Sequence, residues 1–114
     1  MTPRDEAVLL DILRACRLAI EFLGDMDRTA FLADSKTQAA VIHEILVIGE
    51  ASKRLTAEFR DLAPGVPWKA IAGMRDKLIH HYDVVDPDAV WKAASVDVPA
   101  LLQILASLAP KPRD

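Results

Sequence analysis

Apolar residues recur along this chain at intervals of three and four, and nowhere alternate with polar ones at a period of two. That spacing lines side chains up on one face of an α-helix, so the pattern predicts an all-α protein. Four of the seven prolines stand where helices start, positions at which their missing N–H would be unpaired anyway. Thr2-Pro3 with Asp5 opens a first helix that runs to about Leu23 and stops at Gly24-Asp25. A short element covers Thr29 to Ala33. Ser35 with Gln38 reads as a capping box for a long second helix reaching about Phe59. After a break at Pro64-Gly65, Pro67 opens a third long helix from Trp68 to about Tyr82, and Asp86-Pro87 caps and opens a fourth. Pro99, just past Asp97, kinks or restarts that helix, which ends near Leu108. The expected architecture is a four- to five-helix bundle with mostly antiparallel neighbours, one domain over residues 1–109, with a loose tail over 110–114.

The long second helix carries more apolar surface than one core contact needs. Val41, Ile45, Ile48, Ser52, Leu55 and Phe59 lie on one stripe, and Ile42, Leu46 and Gly49 form a second strip beside it. Gly49 costs the helix about 1 kcal/mol relative to alanine, and its bare backbone admits another backbone closely. Two readings stay open from this pattern: a homodimer seam, or the central helix of the bundle surrounded on most sides.

Length and composition narrow the class. A chain of 114 residues has room for one domain with a real core. The single cysteine, Cys16, cannot form an internal disulfide and falls among Ile12, Leu13, Ala19 and Ile20, where it reads as a small buried apolar group. The opening Met-Thr-Pro-Arg-Asp-Glu does not resemble a secretion signal, and no run of eighteen uncharged apolar residues exists. A cytoplasmic protein that does not span a membrane is the expectation. The net charge of −3 argues against broad non-specific affinity for nucleic acid, so any such site must be a local basic patch.

The third helix holds the anomaly. Ile71, Met74, Leu78 and Tyr82 form its apolar stripe, and Arg75 falls inside that stripe. A buried guanidinium without a partner is costly, so Arg75 must pair with a carboxylate or line a cleft that accepts an anion. Glu44, at the edge of the apolar stripe of the long helix, is a candidate partner. His80 and His81 follow, each able to exchange a proton near neutrality, which makes an arginine–histidine pair suited to phosphodiester cleavage. Five residues of ideal helix put Arg75 and His80 about 140° apart. Either the helix distorts, or the arginine reaches round, or the site is assembled across a dimer. A metal site is rejected: His80 and His81 point apart, His43 bears no spacing relation to them, and no cysteine cluster exists. No cofactor motif is present either.

The string Gly73-Met-Arg-Asp-Lys-Leu-Ile-His-His-Tyr82, an arginine, four residues, then His-x-Tyr, resembles the signature of HepT-like toxins in the HEPN superfamily. Gln38-Ala-Ala-Val-Ile-His-Glu-Ile-Leu-Val-Ile-Gly-Glu-Ala51 resembles the family's long second helix, and Val66-Pro-Trp68, Asp86 and Val90-Trp91 fall in family order. The resemblance implies a HEPN-type bundle acting as a homodimer, and a metal-independent ribonuclease toxin with tRNA or mRNA as substrate. It implies that Arg75 neutralises the scissile phosphate and that His80 moves the proton in attack by the ribose 2′-hydroxyl. Asp76 stands where many relatives have asparagine and could orient His80; His81 would support the site. Tyr82 would line it and would be the residue to which a nucleotidyltransferase antitoxin attaches AMP, filling an anion site with phosphate. Lys69, Lys77 and His80 share a polar face that supplies the local basic patch, whereas Trp68 and Trp91 read as core. The alternative is a non-catalytic helical dimer that binds a nucleotidyltransferase or a nucleotide.

Overall fold

The computed structural model describes residues 1–80 and 85–110. The expectations placed on His81, Tyr82 and the tail beyond Pro110 lie outside the described residues. Among those residues there is no strand, and the helices are α1 (Pro3–Leu23), α2 (Arg28–Leu32), α3 (Ser35–Lys53), α4 (Ala57–Asp61), α5 (Trp68–His80), α6 (Pro87–Lys92) and α7 (Val98–Ala106).

Helix α1 begins as its sequence requires. The Thr2 hydroxyl accepts from the Asp5 amide at 3.0 Å, Pro3 fills the first turn, and Gly24 ends the helix at φ 56°. Its apolar stripe, including Leu9, Ile12, Leu13, Cys16 and Ala19, is wholly buried and packs along α3. Asp5 lies on the same stripe and is buried as well. Its two carboxylate oxygens accept from the Thr56 amide at 3.0 Å and the Thr56 hydroxyl at 2.6 Å. These bonds bring the start of α1 to the residues just after α3, so the two long helices run antiparallel.

The same bonds explain why α3 stops at Lys53 instead of reaching Phe59. Thr56, fixed by Asp5, caps a new helix through its own hydroxyl, which accepts from the Phe59 amide at 3.1 Å. Leu55 and Phe59 remain buried, but from the turn and from α4 rather than from α3. At the other end, the cap of α3 is Asp34, not Ser35: its carboxylate accepts from the Thr37 amide at 3.0 Å, and that hydrogen bond holds its pKa below the usual carboxylate range. Gln38 does not complete a capping box. Its amide donates to the carbonyls of Phe31 and Leu32, closing the exposed end of α2.

The interior divides into two joined clusters. One gathers α1, the later half of α3, α4 and α7; the other gathers Phe31, Val41, Ile45, Leu78 and Val90, with Phe31 tilted against Trp91 at a ring separation of 5.6 Å. Ile71 packs with Ile48 in the first cluster, and Leu78 with Val41 and Ile45 in the second, so α5 runs antiparallel to α3. Helix α3 contacts α1, α2, α5 and α6, which settles it as the central helix.

Between α6 and α7 the chain widens into a π-helical turn, Ala93–Asp97, where the Val98 amide donates to the Ala93 carbonyl. A proline ring clashes with the carbonyl four residues before it, and the wider turn lets Pro99 continue the helix instead of breaking it. The whole of Pro87–Ala106 is thus one helical rod. By length and composition it could cross a membrane, but Asp88, Lys92 and Asp97 interrupt its surface. Its apolar side, Val90, Ala94, Val98, Leu101 and Leu105, is buried in the bundle.

Candidate active site

Arg75 projects from α5 toward α3, where Gly49 makes room for it. A Cβ on Gly49 would fall against the Cβ of Arg75, at 2.8 Å from its Cγ and 3.4 Å from the Ile71 carbonyl oxygen. The glycine therefore serves a close approach inside the chain, and this strip of α3 is not a free seam. The stem of Arg75 lies in the cleft between the helices, and its head reaches the rim, leaving the side chain 23% exposed.

The partners of the guanidinium are Glu50 and Asp76, not Glu44. Nη2 meets Glu50 Oε2 at 2.7 Å and Nη1 donates to Asp76 Oδ1 at 3.1 Å. Glu44 is buried further along α3, with His43 4.0 Å away. Lys53 closes the group by donating to the same Asp76 oxygen at 2.7 Å. Hydrogen bonds from Lys53 first, and from Arg75 second, hold the Asp76 carboxyl below its ordinary range. Among the described residues, Arg75 Nε is the buried side-chain donor with no acceptor. An unmatched donor on a charged group is a binding capacity that the folded chain does not fill.

His80 is the last residue of α5 and is exposed, as are Lys69 and Lys77. The helix is regular from Trp68 to His80, so the rotation of about 140° expected of five residues stands. Arg75 is thus turned to α3 and His80 to solvent, while Asp76 faces Lys53 and Arg75. Neither the guanidinium nor the imidazole is sealed in the interior. Beside the exposed flank of α5, Gly73, Met74 and Lys77 line one wall of a largely apolar groove of about 520 Å³, with Val85 and Val90 from the next segment on the other. Among the described residues nothing lies within 4 Å of where a Cβ on Gly73 would be, so this backbone is open to them. A second apolar groove of about 360 Å³ separates the start of α5 from α7.

Trp68 and Trp91 are partly buried, the first donating from Nε1 toward the carbonyls of Arg60 and Ala63. Among the described residues no group of three or more His, Cys, Asp or Glu is placed to hold a metal. Sequence reasoning missed Glu50 and Lys53. The signal was available, because Gly49 marks where α3 admits another backbone and Glu50 and Lys53 flank that point on its outer side.

The family model for HepT-like ribonucleases matches residues 12–108, which takes in α3, the arginine-bearing helix and all of α7. The chain belongs to the HepT-like family. Among its HepT-like relatives, a protein of Thermococcus cleftensis named probable ribonuclease HepT is 46% identical over 93 residues, covering 82% of this chain and 84% of the relative. A candidate RNase of Methanocaldococcus jannaschii is also 46% identical over 93 residues, covering 82% and 77%. Another candidate RNase, from Caldanaerobacter subterraneus, is 40% identical over 100 residues, 88% of each chain. No solved structure matches.

Proposed function

We propose that this HepT-like protein is a metal-independent endoribonuclease that acts as the toxin of a toxin–antitoxin pair. The observation that carries the reading is Arg75: an arginine seated in an apolar stripe, its head at the rim of a cleft and its Nε donor unmatched, in a chain whose family is named for RNA cleavage. A phosphodiester is the planar-fork partner that such a group fits. In the reaction, His80 takes the proton from a ribose 2′-hydroxyl, and the 2′-oxygen forms a bond to phosphorus. The bond from phosphorus to the 5′-oxygen breaks, and that oxygen takes up a proton. Arg75 neutralises the charge on the phosphoryl oxygens.

Arg75 and His80 point different ways on one regular helix, so we place the working site between two copies, the arginine of one beside the histidine of the other. The open backbone at Gly73 and the apolar groove beside it support that exposed side of α5 as the one that pairs. Lys69 and Lys77 would draw the RNA backbone to it. Tyr82 and His81 would complete the site, and AMP attached to Tyr82 by a nucleotidyltransferase antitoxin would block it with negative charge.

The test is cleavage of RNA by the purified protein in the presence of a chelator. Arg75→Ala and His80→Ala each lower the rate by about 10² or more while circular dichroism and dimer mass are retained. The pairing of Arg75 with two carboxylates favours the second reading, a non-catalytic dimer that binds a nucleotidyltransferase. Absence of cutting by the wild-type protein, together with a stable complex or a modified Tyr82, would establish that reading instead.

A further inference from the structure

We propose that Glu50 is a displaceable cover on Arg75: in the resting protein its carboxylate occupies the guanidinium edge that an RNA phosphate takes on binding. The inference rests on Arg75 being the phosphate-binding residue.

Nε and Nη2 form one edge of the guanidinium fork, and their N–H bonds point the same way. A phosphate meets such an edge with two oxygens at once. Glu50 uses it only in part: Oε2 holds Nη2 at 2.7 Å, while the neighbouring Nε is buried and has no acceptor among the described residues. The opposite nitrogen, Nη1, is held by Asp76, which Lys53 also anchors at 2.7 Å. The two carboxylates are therefore unequal. Asp76, 47% exposed, is held by two cations, whereas Glu50, 54% exposed, has its ion pair with Arg75. An exposed ion pair is weakly held, and Glu50 can swing into water without leaving a charge buried. Arg75 cannot follow it, because its stem lies against the backbone of Gly49. Displacement of Glu50 by phosphate exchanges a single contact for a double one and satisfies Nε. Asp76 stays in place and keeps the guanidinium plane oriented.

The experiment measures binding of a short fluorescein-labelled single-stranded RNA by anisotropy over a range of KCl concentrations, in a His80→Ala background that prevents cleavage. Glu50→Gln binds about three- to fivefold tighter, the fold-change of one partly exposed ion pair. The slope of log affinity against log salt stays close to the parent's, because the same phosphates are contacted in both proteins. Glu50→Asp stays close to the parent. Adding Arg75→Ala removes the gain, and Glu58→Gln, an exposed carboxylate on α4, gives none. With His80 intact, Glu50→Gln lowers KM. Equal or weaker binding by a folded Glu50→Gln protein overturns the proposal, and so does a gain that persists without Arg75 or is matched by Glu58→Gln. If Arg75→Ala alone leaves affinity unchanged, the assignment of Arg75 to phosphate has failed, a result distinct from failure of the cover.

Discussion

Replacing Gly49 with alanine sets two effects of known size against each other. In an isolated helix the change stabilises by about 1 kcal/mol, because glycine gives up more backbone freedom than alanine. In this protein the added methyl group would overlap the Cβ of Arg75 and stand 2.8 Å from its Cγ. A Cβ is fixed to its backbone, so relief requires α3 and α5 to move apart. Overpacking of this kind costs about 1–3 kcal/mol, and a clash against backbone-fixed atoms belongs at the upper end. The net expectation is a loss of about 1–2 kcal/mol. For a domain of this size that corresponds to a fall of about 4–8 °C in Tm, read by circular dichroism. The clash lies chiefly with Cβ, so Arg75→Ala will not relieve it, whereas Arg75→Gly will, apart from the helix penalty of a second glycine. RNA cleavage falls further than stability does, since a shift of about 1 Å in a positioning group can cost about 10² in rate. A Gly49→Ala protein as stable as the wild type, or one rescued equally by Arg75→Ala and Arg75→Gly, would refute the close-approach argument.

Asp5 gives a pH signature. Hydrogen bonds from Thr56 hold its native pKa below the unfolded value, so its contribution to stability is present above about pH 4 and disappears as pH falls through the depressed native value. Tm measured from pH 7 to pH 3 should show Asp5→Asn less stable than wild type near neutrality, with the gap narrowing on the acid side; a constant gap would contradict the linkage. Cys16 is fully buried and burial pushes its thiol up to about 12, so a thiol reagent at pH 8 should label it only after urea unfolds the protein. Labelling of the native protein at the unfolded rate would show that the α1 stripe is not sealed.

Most of the helices were legible because their starts carry a local reason. Thr2 and Pro3, Pro67, and Asp86 with Pro87 are caps or first-turn prolines whose chemistry is written within a few residues. Arg75 was legible as an anomaly for the same reason: one charged residue breaks an otherwise apolar stripe. Its partners were not, because Glu44 and Glu50 both lie on α3, and the choice depends on the rotation of α3 about α5. Gly49 sets that rotation through a contact between residues twenty-six positions apart. The early end of α3 was hidden likewise. Apolar periodicity runs on through Leu55 and Phe59, and only the bonds Thr56 donates to Asp5, fifty-one residues away, fix Thr56 as a helix start. Asp5 itself breaks the stripe of Val8, Leu9 and Ile12 just as Arg75 breaks its own, so the same test applied to α1 would have flagged it.

The clasp between Asp5 and Thr56 also bears on the order in which the protein is made. The amino-terminal turn of the first helix cannot bury its carboxylate until the residue closing that 51-residue separation has been synthesised. Until then a growing chain carries an acidic group on the face that later becomes the interior. A fragment cut between α3 and α4 would be left in that state permanently.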